Sequence, residues 1–236
     1  MKCDLASEPR VSYMGTPSFY EPMKSAKAAR WYNNRLRTPG SGRRDTVGEK
    51  VPAGFEAYVR IPHPKWEKVS EGTAGSIFYH GCWMRPVPYD AEVDAIVADE
   101  GQLIGPWAET LFEVLVEESP LPNAECVCGL WEGFGTRGRP ATAHITIGVD
   151  LYLLYHAPLE VIGHWLSTHR EASPSNVPSM AWPEDRRWCV VTPFQFFSTY
   201  VGGSRELIDR LLDRRDQIDV RAACLDDNMK TTLGYL

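Results

Sequence analysis

The fold is decided by residues 182–212, WPEDRRWCVVTPFQFFSTYVGGSRELIDRLL. This order predicts a polar loop, a buried strand that begins at Trp188, a turn at Gly202-Gly203 and an amphipathic helix. Ser204 occupies the N-cap position of that helix, where a hydroxyl accepts a hydrogen bond from the first turn. Local pattern, turn chemistry and helix start agree, as expected of a sequence that specifies one structure. The stretch therefore predicts a strand–helix unit that closes the domain.

Composition narrows the class of protein. The chain has 236 residues, of which 43% are hydrophobic and 11% aromatic, so a sizeable core is available and global disorder is excluded. No apolar run approaches the ~18 residues of a membrane span, and the first ten residues lack the apolar stretch of a secretory signal. Six cysteines without regular spacing suit reduced thiols better than a disulfide scaffold. These features predict a cytoplasmic protein without a membrane partner.

The remaining elements follow from hydrophobic periodicity. The pattern predicts helices over 22–37, around 93–97, over 107–115, after Pro158 and over 205–215. It predicts strands over 55–61, 126–131, 144–149, 151–155 and 220–225. The resulting fold class is α/β, with α+β as the alternative: a single domain with a mixed sheet of about five or six strands and helices mainly on one face. Residues 1–21 are expected to form an irregular arm, 22–225 the domain and 226–236 a polar tail.

Several phrases of the chain resemble an uncharacterised family of bacterial proteins. They are VPAGFEAYVRIPHP (51–64), CVCGLWEGFG (126–135), YLLYHAPLE (152–160) and residues 182–212, in that order. The resemblance implies that residues 51–225 form one unit, and it implies no activity. The family tends to carry an acidic residue where Gln195 or Phe196 stands here, so a chemical role of that acid would be lost in this chain.

Charge is unevenly distributed along the chain. The formal net charge is −6, yet residues 22–50 hold eight Lys/Arg against two acids, so this segment carries +6 and the rest −12. Such asymmetry is found at surfaces that bind nucleic acid or acidic partners. The alternative is a solvated basic helix and loop that rest on an acidic body. Nucleic-acid binding through residues 22–50 is therefore the less favoured hypothesis.

Metal ligands are sparse. Cys126 and Cys128 are two apart on a predicted strand and so share a face, where His144 or Cys189 could complete a zinc site. The C-x-C spacing is not that of a zinc knuckle and no second pair follows, which favours buried thiols. His156, Glu160 and His164 are spaced four apart, but Pro158 is expected to begin the helix and to leave His156 outside it. We therefore expect no metal and no cofactor.

Signals of catalysis are weak. The chain contains no G-x-S-x-G elbow, Walker loop or dinucleotide fingerprint. Ser204 follows two glycines at a helix start, where an anion could bind beside Arg205, although capping is its ordinary role. Glu132 and Asp185 lie among aromatic residues, which can raise a carboxyl pKa by desolvation. A small hydrolase or transferase that uses His156 with Glu132 or Asp185 remains the alternative.

The favoured hypothesis is a non-catalytic protein- or ligand-binding or regulatory domain, and a neutralising or defence-related role is one form that it includes. The partner would be another protein or a small ligand, bound at an aromatic-rich concave surface built from strand exits and loops. The residues expected there are Trp131, Glu132, Tyr155, His156, Trp182, Asp185, Arg186, Tyr200 and Ser204.

Overall fold

A computed structural model describes residues 17–38, 45–74, 76–79, 82–88, 95–96, 101–119, 124–134, 143–168 and 176–229. The α-helices in these ranges are α1 Arg30–Asn34, α2 Pro106–Glu118, α3 Leu159–Thr168 and α4 Arg205–Asp213. The strands are β1 Glu21–Pro22, β2 Ala57–Pro62, β3 Lys65–Lys68, β4 Ile77–Tyr79, β5 Cys82–Val87, β6 Ala95–Ile96, β7 Glu125–Trp131, β8 His144–Ile147, β9 Asp150–Pro158, β10 Met180–Pro183, β11 Cys189–Val191, β12 Ser198–Gly203 and β13 Arg221–Ala222.

Two sheets organise the part of the chain that the structure describes. The main sheet has nine strands in the order β1-β9-β7-β10-β11-β12-β2-β13, with β8 also paired to β9, and the small sheet has the order β4-β5-β3-β6. The pairings are antiparallel. The fold is therefore α+β, the alternative that the sequence left open. The main sheet is larger than the five or six strands expected, and its described pairings are antiparallel, not mixed.

The three longer helices cover one side of the main sheet, which we call the helix face. Its core contains Leu111 of α2, Ile162 of α3 and Leu211 of α4, packed against strand residues such as Val59 and Val201. Pro106 begins α2 at the first helical position, where its missing N–H has no intrahelical partner to lose. The expectation that helices lie mainly on one face is confirmed.

The opposite side, which we call the N-terminal face, is covered by residues that precede β2. A 3₁₀ turn, Ala26–Ala29, leads into α1, and both pack on the sheet through Ala29, Trp31 and Tyr32. A second 3₁₀ turn, Val47–Glu49, adds Val47. Because neighbouring strand residues point to opposite faces, the two cores divide the strands between them: Cys126 and Cys128 lie on the helix face and Val127 on the N-terminal face.

Strand β2 is buried on both sides, although its sequence alternates like a half-exposed strand. Val59 and Ile61 belong to the helix-face core, while Arg60 is only 8% exposed on the other side. β2 lies between β12 and β13, with Thr199 opposite Ile61 and Ala222 opposite Val59. When both faces of a sheet are covered, an interior strand has no face in contact with solvent, even if its sequence alternates between apolar and polar residues.

Four expectations for single elements were wrong. The polar loop expected from Trp182 begins later, because Trp182 and Pro183 belong to the buried strand β10. The helix over 22–37 is shortened to a 3₁₀ turn and α1, because residues 21–22 pair with β9 as a strand. Ile96, expected in a helix, lies in β6, while Val93 and Val97 fall outside the described residues. Gly202-Gly203 is the end of β12, not a turn.

The end of the expected N-terminal arm enters the core. Tyr20 is buried, its hydroxyl donates to the carbonyl oxygen of Asn176 at 3.0 Å, and its ring contacts Tyr155 with centroids 5.7 Å apart.

Within the described ranges, no helix has the length and apolar character needed to cross a bilayer.

Candidate functional site

The nine residues expected to form one surface are distributed over both faces of the main sheet. Tyr155 lies in the helix-face core, and Trp182 and Tyr200 lie in the core of the N-terminal face; none is more than 1% exposed. Tyr155 and Tyr200 are interior strand residues, not strand exits. Their assignment to a concave surface is therefore corrected, because these aromatic side chains fill the two cores.

Trp131 and Glu132 lie where β7 ends. The Trp131 ring stacks on Phe194 with ring centroids 3.3 Å apart and an interplanar angle of 20°. Glu132 is exposed in the 3₁₀ turn Glu132–Phe134. The stack closes the loop between β11 and β12 over the end of β7, which is a structural role for Trp131.

His156 does not meet the carboxylates proposed for it. It lies in β9 opposite Glu21 and Val127, and Val127 lies opposite Trp182. Trp131, at the end of β7, is four residues beyond Val127, which corresponds to roughly 13 Å along the strand, and Glu132 follows it in a 3₁₀ turn. Among the described residues no hydrogen bond or ion pair joins His156 to Glu132 or Asp185, so the pair needed for acid–base catalysis is not assembled.

Ser204 caps α4, as its position predicts. Its hydroxyl accepts a hydrogen bond from the Leu207 N–H at 3.1 Å. The Arg205 N–H donates to the carboxylate of Glu56 at 3.0 Å. The carboxylate of Glu56 therefore already accepts a hydrogen bond at the start of α4, which argues against the anion site considered there.

The two cysteines of β7 are buried side by side as free thiols. The Cys126 and Cys128 sulfur atoms are 3.7 Å apart, and the Cys126 thiol also contacts the carbonyl oxygen of Ala157 at 3.4 Å. Burial, followed by the neighbouring Cys126, raises the pKa of the Cys128 thiol well above its ordinary value, which disfavours the thiolate that metals bind. No group of three or more His, Cys, Asp or Glu residues suited to a metal ion occurs in the described ranges.

Trp31 is the centre of an aromatic group on the N-terminal face. Its ring centroid lies 5.7 Å from that of Trp182 at an interplanar angle of 80°, and 6.4 Å from that of Phe55 at 89°. Tyr32 is 5.4 Å from Trp182 and donates its hydroxyl hydrogen to the Lys50 carbonyl oxygen at 2.6 Å. These contacts leave Trp31 only 7% exposed.

Two exposed arginines approach the same Trp31 ring. The guanidinium carbon of Arg186 is 5.6 Å from the ring centroid and that of Arg35 is 5.8 Å, both within cation–π range. We call Trp31, Arg35 and Arg186 the Arg–Trp cluster. Neither arginine makes an ion pair with another residue that the structure describes.

The backbone holds both arginines in place. Arg186 has φ 59°, in the left-handed region, within a turn closed by its N–H to the Pro183 carbonyl oxygen at 3.0 Å. Gly54 has φ 99°, and a Cβ atom there would lie 3.1 Å from Nη1 of Arg35, so glycine leaves room for that guanidinium. An uncommon backbone conformation held by a turn is a feature often found at binding sites.

Asp185, the acidic residue next to Arg186 in the sequence, is paired with Arg187. Asp185 accepts hydrogen bonds from Arg187, from the backbone N–H at 3.2 Å and from Nε at 2.6 Å. Arg187 in turn donates to the Glu118 carbonyl oxygen at 3.1 Å. Asp185 is thus paired with Arg187 at the surface. It does not neutralise the charge of Arg186.

The basic segment 22–50 is only partly neutralised by the acidic body. Arg37 pairs with Asp226, and Lys50 pairs with Asp150 at 3.1 Å. The exposed cations of this segment without an ion pair to a described residue are Lys24, Lys27, Arg30 and Arg35. Arg43 and Arg44 lie outside the described residues. The segment that contains Trp31 and Arg35 therefore carries further exposed cations.

Trp31 and Arg35 were not among the residues expected at the site. Both residues lie in the helix predicted over 22–37, and Arg35 counts among the cations of segment 22–50. Their spacing of four residues places two side chains on the same side of a helix, which was the available local signal. The approach of Arg186, more than 150 positions away, is not visible in any local pattern.

Comparison of the chain with protein-family models, with curated proteins and with solved structures found no match.

Proposed function

We propose that this protein is a non-catalytic binding protein that recognises an acidic segment of a partner protein through the Arg–Trp cluster. The observation that carries the proposal is the pair of exposed guanidinium groups within 6 Å of one buried tryptophan ring, neither ion-paired to a described residue. An acidic ligand can supply the negative charge that neither guanidinium receives from a described residue of the chain. Guanidinium forks also match carboxylates in geometry.

A protein segment suits the surface better than a single small anion. Lys24, Lys27 and Arg30 extend the positive charge along the chain that leads to Arg35, and their side chains are exposed. A ligand with several carboxylates in a row can contact several of these cations, whereas a small anion contacts one or two. Complementary charge of this kind raises association rates and selects partners.

Nucleic acid suits the surface less well. Single strands are bound largely by stacking of bases on exposed aromatic rings. Here Trp31 and Trp182 are 7% and 1% exposed, so their faces are already covered. Binding that covers an acidic region of a partner fits a neutralising or defence-related protein.

The direct test is calorimetric titration with a deca-glutamate peptide at low and moderate salt. We expect binding that weakens with salt, and a further weakening of about ten-fold, equivalent to ~1.4 kcal/mol, in the double variant Arg35→Ala/Arg186→Ala. The matched control is Lys68→Ala/Arg205→Ala, which lowers the net charge equally at exposed positions of β3 and α4. This control should retain the affinity of the unmodified protein.

Three outcomes would reject the proposal. The first is the absence of peptide binding at low salt. The second is an equal loss in the two double variants, which would indicate general charge attraction without a site. The third is tighter binding of a deca-thymidylate strand than of the peptide, which would make nucleic acid the partner.

A further inference from the structure

Helix α2 carries several glutamates and no cation. Its sequence, PWAETLFEVLVEE, contains four glutamates and neither Lys nor Arg. Glu117 and Glu118, at its end, form ion pairs with Arg210 of α4. Glu109 and Glu113 are exposed, and neither forms an ion pair with a residue that the structure describes. α2 therefore presents two carboxylates whose charge the described chain does not neutralise.

Glu109 and Glu113 lie on the same side of α2. They are four residues apart, so they occupy consecutive turns, ~6 Å apart along the helix axis. Leu111 and Leu115 of the same helix are fully buried, so the two glutamates face away from the core. Like charges at this spacing destabilise a helix, and cations bound to both carboxylates would remove that effect.

The Arg–Trp cluster lies on the opposite side of the main sheet. Trp31 packs in the core of the N-terminal face, whereas Leu111 of α2 packs in the core of the helix face. The sheet and both cores separate Arg35 and Arg186 from the two glutamates of the same copy. These charges therefore cannot pair within one copy, but they are available to a second one.

The two guanidinium groups are close enough to bind one turn of a helix. The guanidinium carbons of Arg35 and Arg186 lie 5.8 and 5.6 Å from the same Trp31 ring centroid. The two carbons are therefore separated by at most about twice this distance, a span that accommodates two carboxylates on consecutive helical turns. Each guanidinium can bind one carboxylate through two N–H groups, the geometry that such pairs prefer.

We infer that the acidic partner of the Arg–Trp cluster is a second copy of this chain, which places Glu109 and Glu113 of its α2 on Arg35 and Arg186. The inference rests on the proposed function, since it names the protein that supplies the acidic segment. Because the two surfaces lie on opposite sides of one copy, each contact joins unlike surfaces. Such head-to-tail contacts build rings or open chains, not closed dimers.

Sedimentation velocity of the full chain over a range of concentrations tests this association. At low salt we expect the average mass to rise with concentration and to pass that of two chains. At about 1 M salt, where the Debye length is ~3 Å, we expect single chains, because the contact depends on exposed charges. An excess of the deca-glutamate peptide should also return the assemblies to single chains, since the peptide competes for the same cluster.

A variant of α2 separates self-association from binding of the peptide. Glu109→Gln/Glu113→Gln removes both charges and leaves the Arg–Trp cluster intact. We expect it to weaken self-association about ten-fold and to bind deca-glutamate as well as the unmodified protein does. The matched control is Glu71→Gln/Asp209→Asn, at exposed positions after β3 and on α4. This control should associate as the unmodified protein does.

Charge reversal tests whether these particular residues meet. Arg35→Glu/Arg186→Glu and Glu109→Lys/Glu113→Lys should each remain single chains at low salt. An equal mixture of the two variants should associate, because opposite charges face each other again at the contact.

Single chains at low salt over the whole concentration range overturn the inference. It is also overturned by an assembly that stops at two chains, by undiminished association of Glu109→Gln/Glu113→Gln, and by a mixture of the reversed variants that stays as single chains. If deca-glutamate still binds in these cases, the proposed function stands with another protein as the partner. If the peptide does not bind, both proposals are rejected.

Discussion

Trp188 shows how much one buried side chain contributes at the scale of a residue. It is fully buried in the helix-face core, just before β11. Its indole N–H makes no hydrogen bond within the described ranges, so its contribution comes from packing and from the apolar surface that it removes from water.

Replacement of this ring should be costly. We expect Trp188→Ala to lower the free energy of unfolding by about 3–5 kcal/mol, because the cavity left among rigid neighbours cannot collapse fully. Trp188→Phe should cost less, since it keeps an aromatic ring and loses no hydrogen bond. The control Val149→Ala, at a site 96% exposed, should stay within about 0.5 kcal/mol. Urea titrations followed by circular dichroism measure all three; a stable Trp188→Ala variant would contradict the assigned burial.

Buried tyrosine and cysteine side chains predict a loss of stability at alkaline pH. Burial raises the pKa of Tyr32, Tyr152 and Cys189 above their ordinary values of 10.0 and 9.0. These groups are neutral when protonated, so above pH 9 the unfolded chain loses protons that the folded chain keeps. Stability is therefore complete below about pH 9 and falls as pH rises further.

The expected loss is about 1.4 kcal/mol for each such group one pH unit above its unfolded pKa. Urea titrations between pH 7 and pH 11 measure it. Tyr152→Phe keeps the ring and removes one titrating hydroxyl, so its stability should fall less steeply with pH than that of the unmodified protein. A constant free energy of unfolding from pH 8 to pH 11 would refute the burial of these groups.

At the scale of elements, the close contact between β7 and β10 limits what β7 can contain. Gly129 lies opposite Met180, and a Cβ atom on Gly129 would lie 2.6 Å from Cγ and 2.9 Å from Sδ of that side chain. Met180 therefore crosses the strand at the place where β7 lacks a side chain. The glycine is required by this neighbour and not by backbone conformation.

Gly129→Ala should lower the free energy of unfolding by about 1–3 kcal/mol, the usual cost of overpacking. In a Met180→Ala background the same change should cost less, because the obstructing side chain is absent. A double-mutant cycle in urea measures this coupling. Equal costs in the two backgrounds would show that Met180 does not restrict Gly129.

Element prediction succeeded where one strong local signal was present and failed where two signals conflicted. Pro106, Pro158 and Ser204 mark helix starts that the structure confirms for α2, α3 and α4. In β12 the pair Gly202-Gly203 predicted a turn, yet Gly202 is a strand residue. A Cβ atom there would lie 2.5 Å from Phe55 and 2.8 Å from Tyr58, so the glycine makes room for rings from a distant segment.

At the scale of the whole molecule, the main sheet joins segments that are far apart in sequence. β2 from the first half of the chain lies between β12 and β13 from the second half. α2, also in the first half, packs against α3 and α4. The two halves therefore share one core, and neither contains the complete main sheet.

We expect that residues 1–120 and 121–236, produced separately, do not unfold cooperatively, whereas a mixture of the two refolds to a species that does. Without β2, the β12 strand loses one of its two partners, along six residue pairs, and the helix-face core loses α2. Thermal melts of each fragment and of the mixture measure this outcome. Release of two independently folded halves by limited proteolysis would disprove the shared core.

The sequence by itself determined the composition of the core, most helix starts, several strands and the basic character of residues 22–50. These properties depend on residue type and on short spacings, which a local pattern contains. The sequence also indicated Arg186 as a site residue. It did so within a set of nine residues that the structure distributes over both faces of the main sheet.

Only the tertiary structure decided which of these residues meet. Strand order places Trp182 beneath Trp31 and brings Arg186 to the ring that Arg35 also approaches. The same order buries Tyr155 and Tyr200 and keeps His156 from the carboxylates that a catalytic site would need. Pairing between strands distant in sequence depends on the packing of the complete core, so its result does not appear in any single stretch of the chain.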